Sequence, residues 1–346
     1  MDRETIFCKA DEEAVRKAGE ILRNGGLVAF PTETVYGLGA NALDEKAAAR
    51  IYAAKGRPSD NPLIVHITRR EALGRIVTEV PEAAERLMDA FWPGPMTLIF
   101  QKSPEVPYGT TGGLDTVAVR MPSHPVARAV IEAGGGYIAA PSANTSGRPS
   151  PTKASHVAED LMGKVDMILD GGEVEIGLES TIVDVSVAEP VILRPGYISL
   201  EMLQGVVGKV SVDQALLRDD AGIRPKAPGM KYKHYAPKAD LKIVEGSEEA
   251  VAARINELIR QGREKGKRIG VIAAKESAYR YQGGIVKTVG SREEDLSIAQ
   301  HLFGILREFD TLGVSEIYSE AFDTPRMGQA IMNRLMKAAG HQVIKA

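Results

Sequence analysis

Apolar residues recur with helical or strand spacing along two stretches of this chain, and a segment without such periodicity separates them. That segment, residues 211–238, is rich in Asp, Arg, Gly, Pro and Lys. Each flanking stretch is long enough for one domain, since domains usually contain about 100–200 residues. We therefore predict a first domain over 1–210, a linker over 211–238 and a second domain over 239–346.

The first stretch mixes helices with strands, and some strands follow one another directly. This arrangement predicts a mixed α/β sheet rather than a strict βαβ array. The predicted helices cover 12–23, 44–54, 82–91, 125–133 and 153–161, and the predicted strands cover 27–30, 63–67, 96–100, 116–121, 137–140, 167–169, 181–185 and 191–193.

From residue 241 the alternation becomes regular and predicts a small, Rossmann-like open sheet with mostly parallel strands. The predicted strands are 241–244, 269–274, 285–289 and 316–318, and the predicted helices are 248–260, 296–309 and 328–339. The linker before it ends in Lys-Tyr-Lys-His-Tyr-Ala-Pro, which is too aromatic and too basic for a plain spacer. We expect a functional loop there.

Composition excludes several classes of protein. The net charge is −3 and aromatic residues make up 5%, which argues against a polycation or a base-stacking platform for nucleic acids. The single cysteine, Cys8, cannot build a disulfide framework or a cysteine zinc site. Since the chain has no signal peptide at its charged N-terminus and no run of about 20 apolar residues, we expect a cytoplasmic protein.

Two cations, Lys55 and Arg57, flank Gly56 on a turn between a predicted helix and a predicted strand. Side chains at this spacing can converge on one anion, although such a pair is more often a solvated surface feature. Two hydroxyl-rich loops, 31–38 and 141–147, also follow short strands. Ligand sites of open α/β sheets lie at strand ends, so we expect these cations and hydroxyls to form one pocket.

The standard nucleotide cradles are missing from the sequence. Gly37-Leu38-Gly39 begins like a dinucleotide fingerprint but lacks the final glycine and follows a polar loop rather than a strand. Gly205 to Lys209 is too short for a P-loop. The six histidines show no metal-ligand spacing, and we predict no protein-bound metal.

Four motifs, PTETVYGLGA, KGRPSDNPL, PSANTSG and GLESTIVDV, occur in this order, and the chain resembles the YrdC-like family of threonylcarbamoyl-AMP synthases. The downstream KHYAP and the α/β tail resemble the longer, Sua5-type members. The resemblance implies a YrdC-like mixed twisted sheet with helices, followed by the linker and the small second domain. It also implies a nucleotidyltransferase that joins L-threonine, bicarbonate (or CO2) and ATP into threonylcarbamoyl-AMP and pyrophosphate, for modification of the adenosine next to the tRNA anticodon.

The resemblance also implies the site residues, Mg2+ carried by the ATP phosphates and transfer of the product to a tRNA threonylcarbamoyltransferase complex. Arg120 suits a substrate carboxylate, and Lys55, Arg57 and Arg194 suit a triphosphate. His66 is a candidate base, although a binding role is the commoner outcome. Glu33 and Glu179 could act through water, although turn stabilisation by hydrogen bonding is the commoner role of such residues. The implied threonine residues are Thr34, His66, Arg120, Ala140 and Ser180, and the implied ATP residues are Lys55, Arg57, Asn61, Thr116, Ser142, Asn144, Ser150, Arg194, His234 and Tyr235, the last two closing over the nucleotide as a lid.

Two other functions stay open at this point. One is a module that binds RNA weakly through a local basic patch, by charge alone. The other is a carbamoyl-transfer enzyme of the hydrogenase-maturation type, but such chains carry zinc-finger cysteines and further domains. Pyrophosphate release that depends on threonine and bicarbonate would separate the synthase from both.

Overall fold

The structure, a computed structural model, describes residues 4–213, 227 and 234–346, and these residues form two compact units. The first unit contains the described residues up to 146, together with 150–175, 179–213 and 227. The second contains 147–149, 176–178 and 234–346. Most of the predicted linker lies outside the described residues, so its bounds stay a prediction. No helix of the described part is long and apolar enough to cross a membrane.

The first unit is built on a sheet of eleven described strands with helices packed against it. Half of the ten strand pairings are parallel and half antiparallel, which confirms the predicted mixed sheet. The strands are β1 (Ile6–Lys9), β2 (Val28–Phe30), β3 (Gly37–Asn41), β4 (Ile64–His66), β5 (Met96–Gln101), β6 (Thr116–Arg120), β7 (Ile138–Ala139), β8 (Met167–Asp170), β9 (Thr181–Asp184), β10 (Val191–Arg194) and β11 (Ser211–Val212). The helices are α1 (Glu12–Arg23), α2 (Glu45–Lys55), α3 (Leu73–Ile76), α4 (Glu82–Phe91), α5 (Tyr108–Thr111), α6 (Pro125–Ala133), α7 (Ala154–Leu161) and α8 (Leu200–Val207).

The strand order is β1-β8-β2-β3-β7-β4-β6-β5-β9-β10-β11. In the middle of the sheet, β4 and β6 are parallel neighbours, and their register pairs His66 with Arg120. On the other side of β6, the antiparallel strand β5 pairs Thr97 with Arg120. The sheet therefore aligns three polar residues across its apolar centre.

Helix α2 ends where the Lys55–Arg57 turn begins. The side chain of Asp44 accepts a hydrogen bond from the N–H of Lys46 and caps the first turn. Gly56 follows the helix with a φ of 62°, and the N–H of Arg57 donates to the carbonyl of Tyr52 at 2.9 Å. This αL termination leaves Lys55 on the last helical turn and Arg57 outside the helix.

Strand β3 was not predicted, because residues 31–38 were assigned to a polar loop and Gly37-Leu38-Gly39 was considered only as an incomplete dinucleotide fingerprint. The segment is a buried strand between β2 and β7. A Cβ at position 39 would lie 2.7 Å from a ring carbon of Phe30 and 2.9 Å from a methyl of Ile138. The glycine therefore serves close packing rather than a phosphate. The prediction also missed β1, β11, α8 and the two short helices α3 and α5.

The second unit contains a five-stranded sheet in which every pairing is parallel, which confirms the predicted open α/β layer. Helix α9 packs on one face, where Val251 and Ile255 belong to the same apolar cluster as Val244 and Val271. A Cβ at position 270, on the other face of β13, would meet the ring of Phe309 in α10 at 2.7 Å. The elements are β12 (Asp240–Glu245), α9 (Glu248–Glu264), β13 (Ile269–Ala274), β14 (Ile285–Gly290), α10 (Asp295–Leu312), β15 (Glu316–Glu320), α11 (Gly328–Ala338) and β16 (Val343–Lys345), the last of which was not predicted.

The close approach at Gly39 predicts a stability effect. Gly39→Ala should lower the free energy of unfolding of the first unit by about 1–3 kcal/mol, because its methyl overlaps Phe30 and Ile138. Gly74→Ala is the matched control, since a Cβ there meets nothing within 4 Å and alanine favours the helix. Urea unfolding measures both, and equal stability of the two variants would contradict the packing at β3.

Candidate active site

The loop between β2 and β3, residues 31–36, is polar yet buried. The hydroxyl of Thr32 lies 2.9 Å from that of Thr34 and donates to the carbonyl of Val35 at 2.7 Å. The hydroxyl of Tyr36 donates to the carbonyl of Gly172 at 2.6 Å. These bonds hold the loop without regular secondary structure, and they keep Glu33 and Thr34 inside the first unit.

Arg120 is buried at the end of β6 and is held by three groups. One terminal nitrogen, Nη2, lies 2.7 Å from Glu33 Oε1, and the other, Nη1, donates to the hydroxyl of Thr34 at 2.8 Å. Its Nε donates to the carbonyl of Gly94 at 3.3 Å. A guanidinium has five N–H groups, so one hydrogen on each terminal nitrogen is left for a ligand. The arginine was predicted as a site residue from the sequence, but its ion pair with Glu33 was not.

Glu33 is the residue whose importance the sequence reasoning underestimated. It is 2% exposed, and among the described residues its Oε2 has no hydrogen-bond partner. Burial favours the neutral acid, but the adjacent positive charge of Arg120 lowers its pKa below the usual value. A buried carboxylate and a buried guanidinium therefore lie side by side, as a zwitterionic ligand requires.

His66 lies beside Arg120 on the neighbouring strand and is completely enclosed. Its Nδ1 is 3.1 Å from the carbonyl of Ile64, so this nitrogen carries the proton. Burial, and then the positive charge of Arg120, lower its pKa to about 3. The imidazole is therefore neutral at physiological pH and is a weak base, which favours hydrogen bonding over proton abstraction.

Ser180 and Arg194 extend this cluster beyond β5. The hydroxyl of Ser180 is 2.8 Å from the hydroxyl of Thr97. Thr97 was not among the site residues expected from the sequence. Arg194 donates from Nε to the carbonyl of Ser180 at 3.0 Å and from Nη2 to its hydroxyl at 3.1 Å. Since Thr97 pairs with Arg120 in the sheet, these residues continue the same polar row.

Lys55 reaches from α2 to the loop after β7. Its Nζ donates to the carbonyl of Ser142 at 2.5 Å and to that of Asn144 at 2.6 Å, and the N–H of Ser146 returns a bond to the carbonyl of Lys55. Lys55 is 2% exposed, so its interpretation as a solvated surface cation is wrong. This loop also contacts the 31–36 loop, because the N–H of Ala143 donates to the carbonyl of Tyr36.

Arg57 is buried as well, and it folds back onto its own turn. Its guanidinium donates to the carbonyl of Asn61 at 3.4 Å and to that of Pro62 at 3.1 Å. The Oδ1 atom of Asn61 is buried and has no hydrogen-bond partner in the described part of the chain. The turn therefore presents a cation and an amide oxygen together.

The other predicted residues differ in how closely they join this cluster. Ser150 donates to Glu179 at 2.5 Å, next to Ser180. The N–H of Ala140 is bonded to the carbonyl of Ile64, which ties its backbone to β4. Thr116 begins β6, so it lies about 13 Å along the strand from Arg120, at the other end.

His234 and Tyr235 belong to the second unit, where Tyr235 stacks on Phe303 with ring centroids 5.0 Å apart. Residues 228–233, which precede this pair, lie outside the described residues, and the lid stays a prediction. Among the described residues, no three His, Cys, Asp or Glu side chains group as a metal site.

Comparisons with known proteins cover both units. A family model described as "Telomere recombination" (Sua5, YciO and YrdC) matches residues 20–196, and one described as "Threonylcarbamoyl-AMP synthase, C-terminal domain" matches residues 198–340. The chain belongs to this family, as a two-domain, Sua5-type member. Threonylcarbamoyl-AMP synthases of Pyrococcus abyssi and Bacillus subtilis are 50% and 49% identical over 97% of this chain, and the matches cover 97% and 95% of their own lengths.

Solved Sua5 structures agree with this assignment. The P. abyssi Sua5 complex with L-threonine matches with a TM-score of 0.92 and 48% identity, over 100% of both chains. A variant of P. abyssi Sua5, in which a histidine and the adjacent tyrosine are replaced by alanine, matches with a TM-score of 0.94 and 48% identity. The match covers 99% of this chain and 98% of that one. The predicted family and fold class are therefore confirmed.

The enclosed, neutral His66 predicts a pH effect on stability. The pKa of His66 in the folded protein lies below its unfolded value of about 6.5. Between these two pH values only the unfolded chain takes up the proton. The contribution of the neutral His66 to stability is therefore fully present above pH 6.5 and is lost as the pH falls towards 3. The expected loss is about 1.4 kcal/mol per pH unit. Between pH 6.5 and 4.5, the free energy of unfolding measured with urea should fall less steeply with pH for His66→Gln than for the wild type. The exposed His301→Gln should leave the slope unchanged, and an unchanged slope in His66→Gln would contradict the burial argument.

Proposed function

We propose that this protein is a threonylcarbamoyl-AMP synthase that condenses L-threonine, bicarbonate or CO2, and ATP into threonylcarbamoyl-AMP and pyrophosphate. The observation that carries the proposal is the buried Arg120–Glu33 pair beside Thr34 and His66. The names of relatives 49–50% identical and the L-threonine complex of P. abyssi Sua5 support it. The reaction makes the protein a nucleotidyltransferase, and the cytoplasmic location stays a prediction.

Threonine is a zwitterion, and the pair offers one charge to each of its ends. The two remaining N–H groups of Arg120 would bind the carboxylate, and Glu33 Oε2 would accept from the amino group. Thr34 and the neutral His66 would hold the substrate by hydrogen bonds to its polar groups. In a buried site such bonds contribute to specificity, because an analogue without the hydroxyl leaves polar groups unpaired.

The amine must lose a proton before it can attack carbon dioxide. Neither His66 nor Glu33 is a strong base, since both have lowered pKa values. Bicarbonate can take the proton instead: threonine ammonium and bicarbonate give the neutral amine, carbon dioxide and water. The amine then adds to carbon dioxide, releases a proton to solvent and forms the carbamate. Here the protein acts by positioning the reactants rather than by supplying a base.

The carbamate oxygen then attacks the α-phosphorus, and the bond to pyrophosphate breaks. The buried cations Lys55, Arg57 and Arg194 would bind the phosphates, and Ser142, Asn144 and Ser150 would orient phosphate or nucleoside oxygens. Mg2+ would arrive on the ATP phosphates, because it keeps several waters and needs few protein ligands. When bound, it supplies charge neutralisation for the departing pyrophosphate.

The product would then serve the modification of tRNA through a threonylcarbamoyltransferase complex. Carbamates and acyl adenylates hydrolyse readily, so the site must exclude water during the reaction. The buried 31–36 loop and the enclosed His66 suit this requirement.

The three-substrate reaction can be tested directly. Incubation of the full chain with labelled threonine, bicarbonate, ATP and Mg2+ should yield a labelled adenylate together with pyrophosphate, resolved by chromatography. Leaving out any one component should abolish the product. Pyrophosphate release without threonine, or a labelled product without bicarbonate, would refute the proposal.

The role of Arg120 predicts a selective binding defect. Arg120→Lys keeps the charge that pairs with Glu33 but loses the planar fork, so threonine binding should weaken about tenfold or more while ATP binding changes little. Calorimetric titration with each ligand measures this split. Arg75→Lys, at an exposed arginine paired with Glu105, is the control and should change neither affinity. If Arg120→Lys weakened threonine binding and ATP binding equally, the assignment of Arg120 to the threonine carboxylate would be wrong.

A further inference from the structure

A cavity of about 220 Å³ lies at the carboxyl edge of the parallel sheet in the second unit. Residues after four successive strands, β12, β13, β14 and β15, contribute to its lining. The volume equals that of about seven waters, which is enough for a small organic molecule. The polar lining residues are Glu248, Ser277, Tyr281, Arg292, Glu320 and Asp323.

The cavity lies where the connections of two neighbouring strands diverge. Strands β12 and β15 are parallel neighbours. The chain leaves β12 into α9, which packs on one face of the sheet, and leaves β15 into α11, which contacts α10. Helix α10 covers the opposite face, as the contact between Gly270 and Phe309 shows. Open α/β sheets bind their ligands in such a crevice.

The floor of the cavity is a rigid polar network around Glu320, which is 2% exposed. Its carboxylate accepts hydrogen bonds from the hydroxyls of Ser277 at 2.5 Å and Tyr281 at 2.6 Å. It also accepts from the N–H of Ala274 at 3.1 Å and from Arg292 at 2.7 Å. Because Glu320 neutralises Arg292, the floor as a whole carries no net charge.

The mouth of the cavity is acidic. Glu248 and Asp323 are exposed carboxylates, and with Glu320 and Arg292 they give the lining a net charge of −2. Glu248 and Glu249 also form the first turn of α9, where Rossmann-type proteins bind phosphate. Arg280 pairs with Glu248 at 3.4 Å and with Glu249 at 3.8 Å, which offsets one of the two charges. With Asp323, the entrance of the crevice keeps an excess of negative charge, which disfavours a phosphate and favours a cation.

We propose that this cavity binds a small, non-phosphorylated amine. The ammonium group lies at the mouth with Glu248 and Asp323, and the carbon chain packs on Val244, Val251 and Tyr281. The hydroxyls of Ser277 and Tyr281 offer lone pairs to a second polar group of the ligand. This site is separate from the threonine cluster, and it does not depend on the function proposed above.

The test uses the full chain with 1,4-diaminobutane as the cationic probe and AMP as the nucleotide probe. Two-dimensional NMR should show saturable shifts of residues around Glu320 with the diamine and none with AMP. The double variant Glu248→Gln, Asp323→Asn should weaken diamine binding about tenfold or more, the effect expected for losing charged partners. Ala321→Leu, which fills part of the cavity, should weaken it as well.

Glu249→Gln is the matched control, because Glu249 shares the helical turn and the Arg280 ion pair with Glu248 but does not line the cavity. It should change the affinity less than about twofold, since exposed pairs contribute little. Three results would overturn the proposal: no saturable diamine binding, equal affinity in the double variant and the control, or AMP binding at this cavity in competition with the diamine. Threonine-dependent adenylate formation, measured in parallel, should be the same in the wild type and the double variant.

Discussion

The first unit depends on one electrostatic requirement, the neutralisation of a guanidinium buried at the centre of the sheet. Removing Arg120 from water costs several kcal/mol unless its charge is paired and further hydrogen bonds support the pair. Glu33, Thr34 and the carbonyl of Gly94 meet this requirement, and in doing so they join the 31–36 loop, the end of β6 and the turn before β5. The polar row from His66 to Arg194 is therefore part of the architecture, and a substrate would meet groups that are already fixed.

Local signals predicted most helices and strands. Helix α2 has an aspartate cap and a glycine terminator. Most of the correctly predicted strands are short apolar runs with turn residues on each side. Strand β3 was missed because Gly39 is required by the ring of Phe30 and the side chain of Ile138, which are contacts between distant segments. Strand β1, with Lys9 among its four residues, takes its stability from pairing with β8 rather than from its own pattern.

The structure brings several of the predicted site residues together, among them Thr34, His66, Arg120 and Ser180, yet the chemistry of the cluster was only partly visible in the sequence. Arg120 and Thr34 are 86 residues apart, so no local pattern reveals that they bond. The carboxylate next to Thr34 seemed a turn residue until its pairing with Arg120 placed it in the cluster. Lys55 looked like a surface cation because its burial depends on the loop after β7, whose carbonyls surround its ammonium group.

Pairing between β1, β2 and β8 also constrains synthesis of the chain. Strand β8 lies between β1 and β2 in the sheet, although about 140 residues separate it from β2 along the chain. A ribosome must therefore release the polypeptide as far as residue 170 before the N-terminal strand has any neighbour. Until then β2 presents an open apolar edge, which is the kind of surface that chaperones cover during translation.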